Sequence, residues 1–252
     1  MGEIFQKGKF IKLNEVSSTN FYANSLPQDS PEGTIVLAEF QTNGRGQGGN
    51  SWESEKGKNL TFSIILKPHF LKASGQFYIS KVISLALADF VSLFIDNVFI
   101  KWPNDIYAGD RKIGGILIEN SIDGQYISQS IAGIGLNINQ KKFTGNAPNP
   151  VSLNKLTNLE YDIEDLLDTL KDIIEYRYKM LKDREYKTID ENYVDFLYRF
   201  GQKASYKSQD EIFIGTITGV ESTGELVISD EKGCCRNFNY KEVSFLIDNK
   251  FL

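Results

Sequence analysis

The chain has 252 residues, 41% of them hydrophobic, which is enough to bury a large core in one or two domains. Its formal net charge of −5 disfavours a general nucleic-acid binder, because such proteins usually present a basic face. No apolar run reaches the length of a membrane span, and residues 1–14 lack the apolar core of a signal peptide.

The histidine and cysteine content excludes further classes of protein. His69 is the single histidine, which disfavours a Ser-His-Asp or Cys-His hydrolase and a histidine-rich metal site. The two cysteines, Cys234 and Cys235, are adjacent, so they close no useful disulfide loop and lack metal-ligand spacing. We therefore expect reduced thiols and a cytoplasmic protein.

The first predicted elements are a short strand at Phe10 to Leu13 and a helix that ends before Pro27. Ser18 or Thr19 is suited to cap this helix. Capping is the commoner use of such hydroxyl groups. The alternative is a helix N-terminus whose free N–H groups face a polar ligand.

A glycine-rich stretch lies between two apolar runs, Thr34 to Phe40 and Leu60 to Leu66, which predict buried strands. It reads Asn43-Gly44-Arg45-Gly46-Gln47-Gly48-Gly49 and leads to Trp52. A glycine-rich connection can swing, its backbone can approach a ligand closely, and Arg45 can fork onto a carboxylate or phosphate. On glycine and arginine alone, a mobile surface loop is the better interpretation.

A core helix is predicted where apolar residues recur at helical spacing from Ile79 to Phe94. The brief strand Val98 to Lys101 then runs into Trp102-Pro103-Asn104-Asp105, where proline and the Asn-Asp pair favour a turn. A second strand, Lys112 to Glu119, follows a hairpin connection.

Paired glycines interrupt two neighbouring strands: Gly114-Gly115 in the strand just described, and Gly133 with Gly135 in the run from Gln125 to Ile138. Glycines inside strands indicate a bulge or the close approach of another backbone or a ligand. We expect the two pairs to line one face of the sheet. The alternative is a strongly twisted sheet packed tightly against the core helix.

Two amphipathic helices follow, from Ile163 to Leu181 and from Ile189 to Phe200, and Gly201 is a natural stop. Beyond it, short alternating runs with tight turns continue to a last run at Val243 to Ile247 and suggest a small barrel of the SH3 type. The pattern predicts a first domain at residues 1–200 and a second at residues 201–252.

Four polar patches carry the chemistry of the first domain: Ser18 to Asn20, Gln41 to Trp52, Lys101 to Lys112 and Gly133 to Asn137. They offer cations, neutral hydrogen-bonding groups, two tryptophans and many backbone amides, but no obvious nucleophile. Such a set suits the binding and polarisation of phosphates and carboxylates by positioning and charge stabilisation. There is no Walker A motif and no strand–GxGxxG–helix unit.

Together these motifs resemble those of the biotin protein ligases. The resemblance covers residues 14–139 in matching order and spacing and rests on Ser18-Thr19-Asn20, Gln41 with Gly44-Arg45-Gly46, Lys101-Trp102-Pro103-Asn104-Asp105, Arg111 to Glu119, and Gly133-Ile134-Gly135-Leu136-Asn137. The Lys-Trp-Pro-Asn-Asp string is its specific part. The resemblance implies an α+β fold: a mixed sheet flanked by helices, as in class II synthetases and biotin–lipoate ligases, with a small C-terminal SH3-like barrel.

The resemblance implies the two half-reactions of a biotin–[acetyl-CoA-carboxylase] ligase. Biotin and Mg-ATP give biotinyl-5′-adenylate and pyrophosphate. A lysine of a biotin carboxyl carrier protein, or of a carrier domain in a biotin-dependent carboxylase, then attacks the mixed anhydride and AMP leaves. A lipoate–protein ligase of related fold and a non-catalytic module that sequesters biotin or biotinyl-AMP are the alternatives. The oligomeric state, monomer or homodimer, stays open.

By the same resemblance, Lys112 and Arg45 screen the carboxylate and α-phosphate, and Asp105 orients lysines or the metal. The implied biotin-binding residues are Ser18, Thr19, Asn20, Gln41, Arg45, Gly46, Gln47, Lys112, Gly114, Gly115 and Gly133. The implied ATP- and adenylate-binding residues are Arg45, Trp52, Lys101, Asn104, Lys112 and Asn137. No metal motif is present, and Mg²⁺ is expected to arrive with ATP. The alternative for Trp102 and Pro103 is plain packing, and for Lys101 an ordinary strand-end cation.

Two departures from the family pattern change the charged positions. Gln47 and Gly48 stand where many relatives carry arginines. In the tail from Lys241 to Leu246, relatives often have a glycine where this chain has Lys241 and an arginine where it has Leu246. The sequence also starts directly at the ligase-like domain, without the winged-helix extension of some relatives, so we expect no DNA binding.

Overall fold

A computed structural model describes residues 3–145, 147 and 149–246. The helices are α1 Glu3–Lys7, α2 Thr19–Ser25, α3 Phe77–Ser92, α4 Leu153–Thr157, α5 Ile163–Lys182 and α6 Tyr186–Asp195. The strands are β1 Phe10–Leu13, β2 Ile35–Ala38, β3 Leu60–Leu66, β4 Val98–Lys101, β5 Asp105–Ala108, β6 Arg111–Asp123, β7 Tyr126–Leu136, β8 Lys203–Ser208, β9 Glu211–Val220, β10 Leu226–Asp230, β11 Cys235–Phe238 and β12 Ser244–Phe245. None of the described helices combines the length and apolarity needed to cross a membrane.

The first sheet has seven strands in the order β1-β2-β3-β7-β6-β5-β4. β1 pairs in parallel with β2, whereas the other neighbours pair antiparallel. The predicted α+β fold with a mixed sheet is therefore confirmed. β1, β3 and β4 have the bounds that the sequence predicted.

The turn predicted at the Asn-Asp pair is one residue too long. The reversal takes place at Trp102–Asn104, with a cis peptide bond before Pro103, and Asp105 already begins strand β5. β5 returns antiparallel beside β4, with Lys101 opposite Asp105. Ile106 of β5 is fully buried, and this core contact favours a strand over a longer turn.

One face of the sheet packs against α3, with α5 and α6 behind it. The buried side of α3 includes Val82, Ile83 and Leu87, which join Phe62 and Leu136 of the sheet in the main core. Fully burying each such side chain stabilises the fold by about 1.5–3 kcal/mol. The helical stripe predicted from Ile79 to Phe94 is therefore core.

The other face of the sheet is covered by α2 at one end only. There Ala23 packs with Val36, Ile65 and Ile131 in a small second cluster. The rest of this face carries polar side chains and glycines and is overlaid by the loop between β2 and β3. That arrangement leaves room for a cavity directly on the sheet.

The second sheet is antiparallel, with strand order β11-β10-β9-β8-β12. Strands β8 and β11 were not predicted, because their short, mostly polar sequences lack clear alternation. β11 and β12 are its edges in the described part of the chain, so closure into an SH3-like barrel stays a prediction. Ile247, at the end of the predicted last run, lies outside the described residues. The Trp102 indole N–H donates to the Gly224 carbonyl at 2.8 Å and ties this sheet to the first.

Candidate functional site

A cavity of about 420 Å³ lies on the sheet face opposite α3, between the glycine-rich loop and the edge of the second sheet. Its size is within the range typical of small-molecule sites. It brings together most of the predicted site residues: Ser18, Thr19, Asn20, Gln41, Arg45, Gly46, Gln47, Trp52, Lys101, Asn104, Asp105, Lys112, Gly115 and Gly133.

Two predicted residues, Gly114 and Asn137, do not line this cavity. A Cβ atom on Gly114 would lie 2.9 Å from Leu136 Cδ1, on the core side of the sheet. The Asn137 side chain is buried and donates to the Val151 carbonyl at 3.1 Å, which braces the chain after β7. The lining departs from the sequence prediction at these two positions.

Strand register explains why residues far apart in sequence converge here. Thr61, Gly135, Gly115, Asp105 and Lys101 form one row across β3, β7, β6, β5 and β4. Residues directly opposite one another in paired strands project from the same face of the sheet. The row therefore places a hydroxyl, two side-chain-free positions, a carboxylate and an amine along one line of the cavity floor.

The strand glycines make room for two site side chains. A Cβ atom on Gly135 would lie 2.3 Å from Trp52 Cε2, and one on Gly133 would lie 2.1 Å from Asn20 Oδ1. Both distances are far below van der Waals contact. The paired glycines were expected to mark either a close approach or a strongly twisted sheet, and at Gly133 and Gly135 a close approach is found. The Asn20 side chain lies against Gly133, and the Trp52 side chain lies against Gly135.

A network of uncharged groups forms one end of the cavity. Gln41 Oε1 accepts hydrogen bonds from the Thr19 N–H at 2.7 Å and from the Thr19 hydroxyl at 3.1 Å. The Ser63 hydroxyl lies 2.7 Å from the Thr19 hydroxyl and 2.6 Å from Asn20 Oδ1. Ser18 occupies the N-cap position of α2 without a side-chain capping bond. The Thr19 hydroxyl therefore serves the network, and neither hydroxyl caps the helix.

The opposite end is cationic. Lys112 Nζ lies 2.6 Å from Asp105 Oδ1 and 5.8 Å from the centre of the Trp52 ring system. Lys101 Nζ donates to the Tyr107 hydroxyl at 3.2 Å. Burial lowers the pKa of Lys101 and the nearby charge of Lys112 lowers it further, while the Asp105 carboxylate opposes the shift. Asp105 therefore stands between two lysines and orients one of them.

Arg45 reaches from the loop to the sheet, where its Nη2 lies 3.1 Å from Glu119 Oε1. Glu119 also accepts a hydrogen bond from Asn20 Nδ2 at 2.8 Å, so it links the arginine to the uncharged end. The loop closes on itself through Gly46 N–H, which donates to the Asn50 carbonyl at 2.7 Å. Arg45 is thus held over the cavity by a carboxylate partner.

Two buried polar atoms near the loop have no hydrogen-bond partner among the described residues: Gln47 Oε1 and Trp52 Nε1. Both belong to residues that line the cavity. Buried polar groups are nearly always satisfied in folded proteins, so unpaired ones need an explanation. A polar ligand in this cavity would supply one.

Sequence reasoning missed several residues of the site. Ser63 could have been identified from the sequence, because Thr61 and Ser63 are the two polar residues of the apolar run at β3 and lie two positions apart. Glu119 lay inside a recognised motif but was given no role. Tyr240 and Lys241 come from the turn between β11 and β12 and line the cavity, and nothing in their local sequence indicated it.

The fold and the site together define a class: an α+β protein with a cavity between a glycine-rich loop and a mixed sheet, lined by Arg45, Lys101, Lys112 and Lys241. The model of the biotin/lipoate A/B protein ligase family matches residues 11–137, half of the chain. The chain belongs to this family.

Individual relatives agree with this assignment. The chain is 28% identical over 228 residues to the biotin–[acetyl-CoA-carboxylase] ligase of Paracoccus denitrificans, covering 88% of this chain and 94% of that protein. It is 27% identical over 230 residues to the bifunctional ligase/repressor BirA of Bacillus spizizenii, covering 88% and 70%. Among solved structures, the biotin protein ligase of Aquifex aeolicus in complex with biotin and ATP superposes with a TM-score of 0.79 at 25% identity, covering 94% of this chain and 97% of that one.

Proposed function

We propose that this chain is an ATP-dependent biotin–protein ligase. It activates biotin to biotinyl-5′-AMP and transfers the biotinyl group to a lysine of a biotin carboxyl carrier protein or carrier domain. The observation that carries the proposal is the division of one cavity into an uncharged hydrogen-bonding end and a cationic end. The similarity to a biotin–[acetyl-CoA-carboxylase] ligase and to a structure containing biotin and ATP supports the same choice of substrates.

The uncharged end suits the ureido ring of biotin, which offers two N–H donors and one carbonyl acceptor. Thr19, Asn20 and Gln41 present both donors and acceptors there, fixed in advance by the Thr19–Gln41 hydrogen bonds and by the Ser63 hydroxyl. Ser18 lies beside them, and Gly133 lets Asn20 rest on the sheet. Preorganised polar groups bind without a further ordering cost, which favours a neutral polar ring at this position.

The biotin side chain then runs along the sheet toward the cations. The remaining residues that we assign to biotin are Arg45, Gly46, Gln47, Lys112 and Gly115. Gly115 lines the path, whereas Gly114 faces the core and is not assigned to biotin. This path brings the biotin carboxylate to the Lys112 amine.

The cationic end suits the junction of carboxylate and α-phosphate. A carboxylate oxygen of biotin attacks the α-phosphorus, the bond to the bridging oxygen breaks, and pyrophosphate leaves with the electron pair. Lys112 and Arg45 stabilise the negative charge that is concentrated when the two anions meet. Asp105 holds the Lys112 amine in place at 2.6 Å before the substrates arrive.

The adenosine moiety is assigned to the area around Trp52. This ring lies close against Gly115 of β6 and Gly135 of β7 and offers an aromatic surface for stacking. Lys101 and Asn104 line the cavity nearby, and Asn137 braces the end of β7 from outside it.

Mg²⁺ arrives with ATP and screens its phosphate charge. Asp105 is the one carboxylate among the described lining residues and would hold the ion together with phosphate oxygens.

The second half-reaction needs an aligned amine and a good leaving group rather than an enzyme nucleophile. The carrier lysine attacks the carbonyl carbon of the mixed anhydride, and AMP leaves. Within the described ranges, neither histidine nor cysteine lines the cavity, and no cluster of three or more metal-ligating side chains is found.

Residues 1–200 are proposed as the catalytic domain and residues 201–252 as the accessory domain of a cytoplasmic enzyme. We assign it no nucleic-acid partner.

A pyrophosphate-release assay tests the proposal. With ATP and Mg²⁺, biotin should support release and lipoate should not. Release with lipoate alone would favour a lipoate–protein ligase, and release with neither acid would favour a binding module. Adding a biotin carboxyl carrier domain should give a covalent mass increase that is absent when its target lysine is changed to arginine. Sedimentation with and without ligand tests for a homodimer.

A further inference from the structure

The tip of the glycine-rich loop is in direct contact with the second sheet. Lys241 Nζ donates to the Gly48 carbonyl at 2.7 Å, and the Tyr240 hydroxyl donates to the Gln47 carbonyl at 3.2 Å. Both carbonyls belong to the 3₁₀ turn Gln47–Gly49, which lies above the cavity. Two consecutive residues of the turn between β11 and β12 therefore hold two consecutive residues of the loop.

The loop and the lysine are matched in shape. Gly48 has a φ of +66°, which favours glycine, but the backbone is only part of its role. A Cβ atom at this position would lie 2.6 Å from Lys241 Cε and 2.7 Å from Tyr240 Cε1. The absence of a side chain at Gly48 is what lets the lysine and tyrosine reach the loop backbone.

Lys241 itself sits in a strained backbone conformation. Its φ is +72°, in the left-handed region that residues with a Cβ atom rarely adopt. The turn is fixed by Glu242, whose carboxylate accepts from the Asn239 N–H at 2.6 Å. Strained residues persist where the surrounding structure holds them, and they concentrate at ligand clamps. Here the strained residue is the one whose amine grips the loop.

The lysine also changes the charge of the cavity. Lys241 lines it together with Arg45, Lys101 and Lys112, and Asp105 is the only acidic side chain among the described lining residues. The excess of positive charge favours a bound anion. Part of this excess is supplied by the turn between β11 and β12.

We propose that Lys241 and Tyr240 form a clasp that keeps the loop at residues 44–52 closed over the acyl-adenylate. The inference rests on the proposed function and assigns Lys241 as a positioning residue that sets how long biotinyl-AMP is retained. Four of these nine loop residues are glycine, so ordering the loop carries a large entropy penalty. The two hydrogen bonds from Tyr240 and Lys241, which lie outside the loop, offset that entropy penalty. Biotinyl-AMP then leaves only when both backbone contacts have opened.

The clasp predicts how fast biotinyl-AMP is released from variants of the two residues. Stopped-flow tryptophan fluorescence measures this rate. Lys241→Ala should speed dissociation about tenfold, because a hydrogen bond from a charged donor is lost. Tyr240→Phe should speed it about two- to fivefold, since only a neutral hydrogen bond is lost while the ring remains. The matched control is Lys232→Ala, which removes an exposed lysine from a turn of the same sheet and should leave the rate unchanged.

The variant Lys241→Gly distinguishes a role of Lys241 in retaining biotinyl-AMP from a role in supporting the turn alone. This change removes the clasp and also relieves the strain at φ +72°. Release should be as fast as in Lys241→Ala, while the melting temperature stays at or above that of Lys241→Ala. If Lys241 served only to support the turn, release from Lys241→Gly would stay as slow as in the wild type.

Amide hydrogen exchange in the free protein provides a readout that needs no activity. Residues 44–52 should exchange faster in Lys241→Ala than in the wild type, and those of Lys232→Ala should not. Equal loop exchange and equal release rates in wild type and Lys241→Ala would overturn the clasp, as would equal acceleration in Lys232→Ala. Failure of the wild type to form biotinyl-AMP would reject the proposed function instead, and the exchange comparison would still decide the clasp.

Discussion

The two faces of the seven-stranded sheet are built from the same strands but in opposite ways. On the face toward α3, residues such as Ile64 and Leu136 are fully buried in the main core. On the face toward the cavity, the residues next to them in sequence are Ser63 and Gly135. Successive residues of a strand point to opposite faces, so one stretch of chain specifies a core and a site together.

The difference shows what each face requires. The core face is stabilised by filling space, and its free energy comes from apolar area removed from water. The cavity face depends on leaving space, since Asn20 and Trp52 can lie on the strands only where side chains are missing. Neighbouring substitutions on the two faces should therefore affect different measurable properties.

The largest effect on the cavity face is expected from Lys112→Ala. The change removes the cation assigned to the carboxylate–phosphate junction, and adenylate formation should fall roughly a hundredfold or more. The melting temperature should change little, because the side chain is in the cavity rather than in the core. The matched control is Arg111→Ala, an exposed cation one residue away. Near-normal adenylation by Lys112→Ala would remove this residue from the mechanism.

The comparison of faces is sharpest at two adjacent residues of β7. Gly135→Ala places a methyl group 2.3 Å from Trp52 Cε2 in the present geometry, so the indole must move and nucleotide affinity should drop about tenfold or more. Leu136→Ala opens a cavity in the core and should lower the free energy of unfolding by about 2–5 kcal/mol. Isothermal titration and chemical denaturation measure the two properties. If Gly135→Ala unfolded the protein as readily as Leu136→Ala while binding nucleotide normally, the two faces would not be separable in this way.

The loop over the cavity should respond to ligand, whereas the core face should not. Residues 44–52 are expected to exchange amide hydrogens in the free protein and to become protected when biotinyl-AMP is bound, since the ligand adds contacts to a glycine-rich segment. Strand β3 at Leu60–Leu66, which is buried throughout, serves as the internal reference. Equally slow loop exchange with and without ligand would contradict the expectation.

The smallest effect is expected at Lys101, which is tested by Lys101→Met. Burial lowers the pKa of Lys101 below its ordinary value of 10.5, so the charged amine is less stable in the folded state than in the unfolded chain. This penalty is complete below the lowered pKa and disappears as the pH rises through 10.5. Lys101→Met should therefore raise the melting temperature at pH 7 and weaken adenylate binding, and its stability advantage should narrow toward pH 10.5. Lys207→Met, at an exposed lysine of β8, should show no such pH-dependent advantage. A lower melting temperature for Lys101→Met at pH 7 would mean that the contact with the Tyr107 hydroxyl outweighs the burial penalty.

Much of the site could be predicted because its residues carry local signals. The glycines of β6 and β7 stand out within strands, and the Lys101–Asp105 string is specific to one family. The core helix and the long amphipathic helix were visible from their apolar spacing, and at the start of α5 the Asp162 side chain accepts hydrogen bonds from Glu164 N–H and Asp165 N–H. These features depend on residues close together in the chain, so local chemistry is enough to define them.

By itself, the sequence determined the core stripe of α3, the apolar strands on either side of the glycine-rich loop, and the types of group available to a ligand. Only the tertiary structure decided the row from Thr61 to Lys101, the pairing of Arg45 with Glu119, and the grip of Lys241 on Gly48. Each of these depends on which strands become neighbours and in what register. Hydrogen-bond register between distant strands is set by how the whole core packs, and no local spacing of residues encodes it.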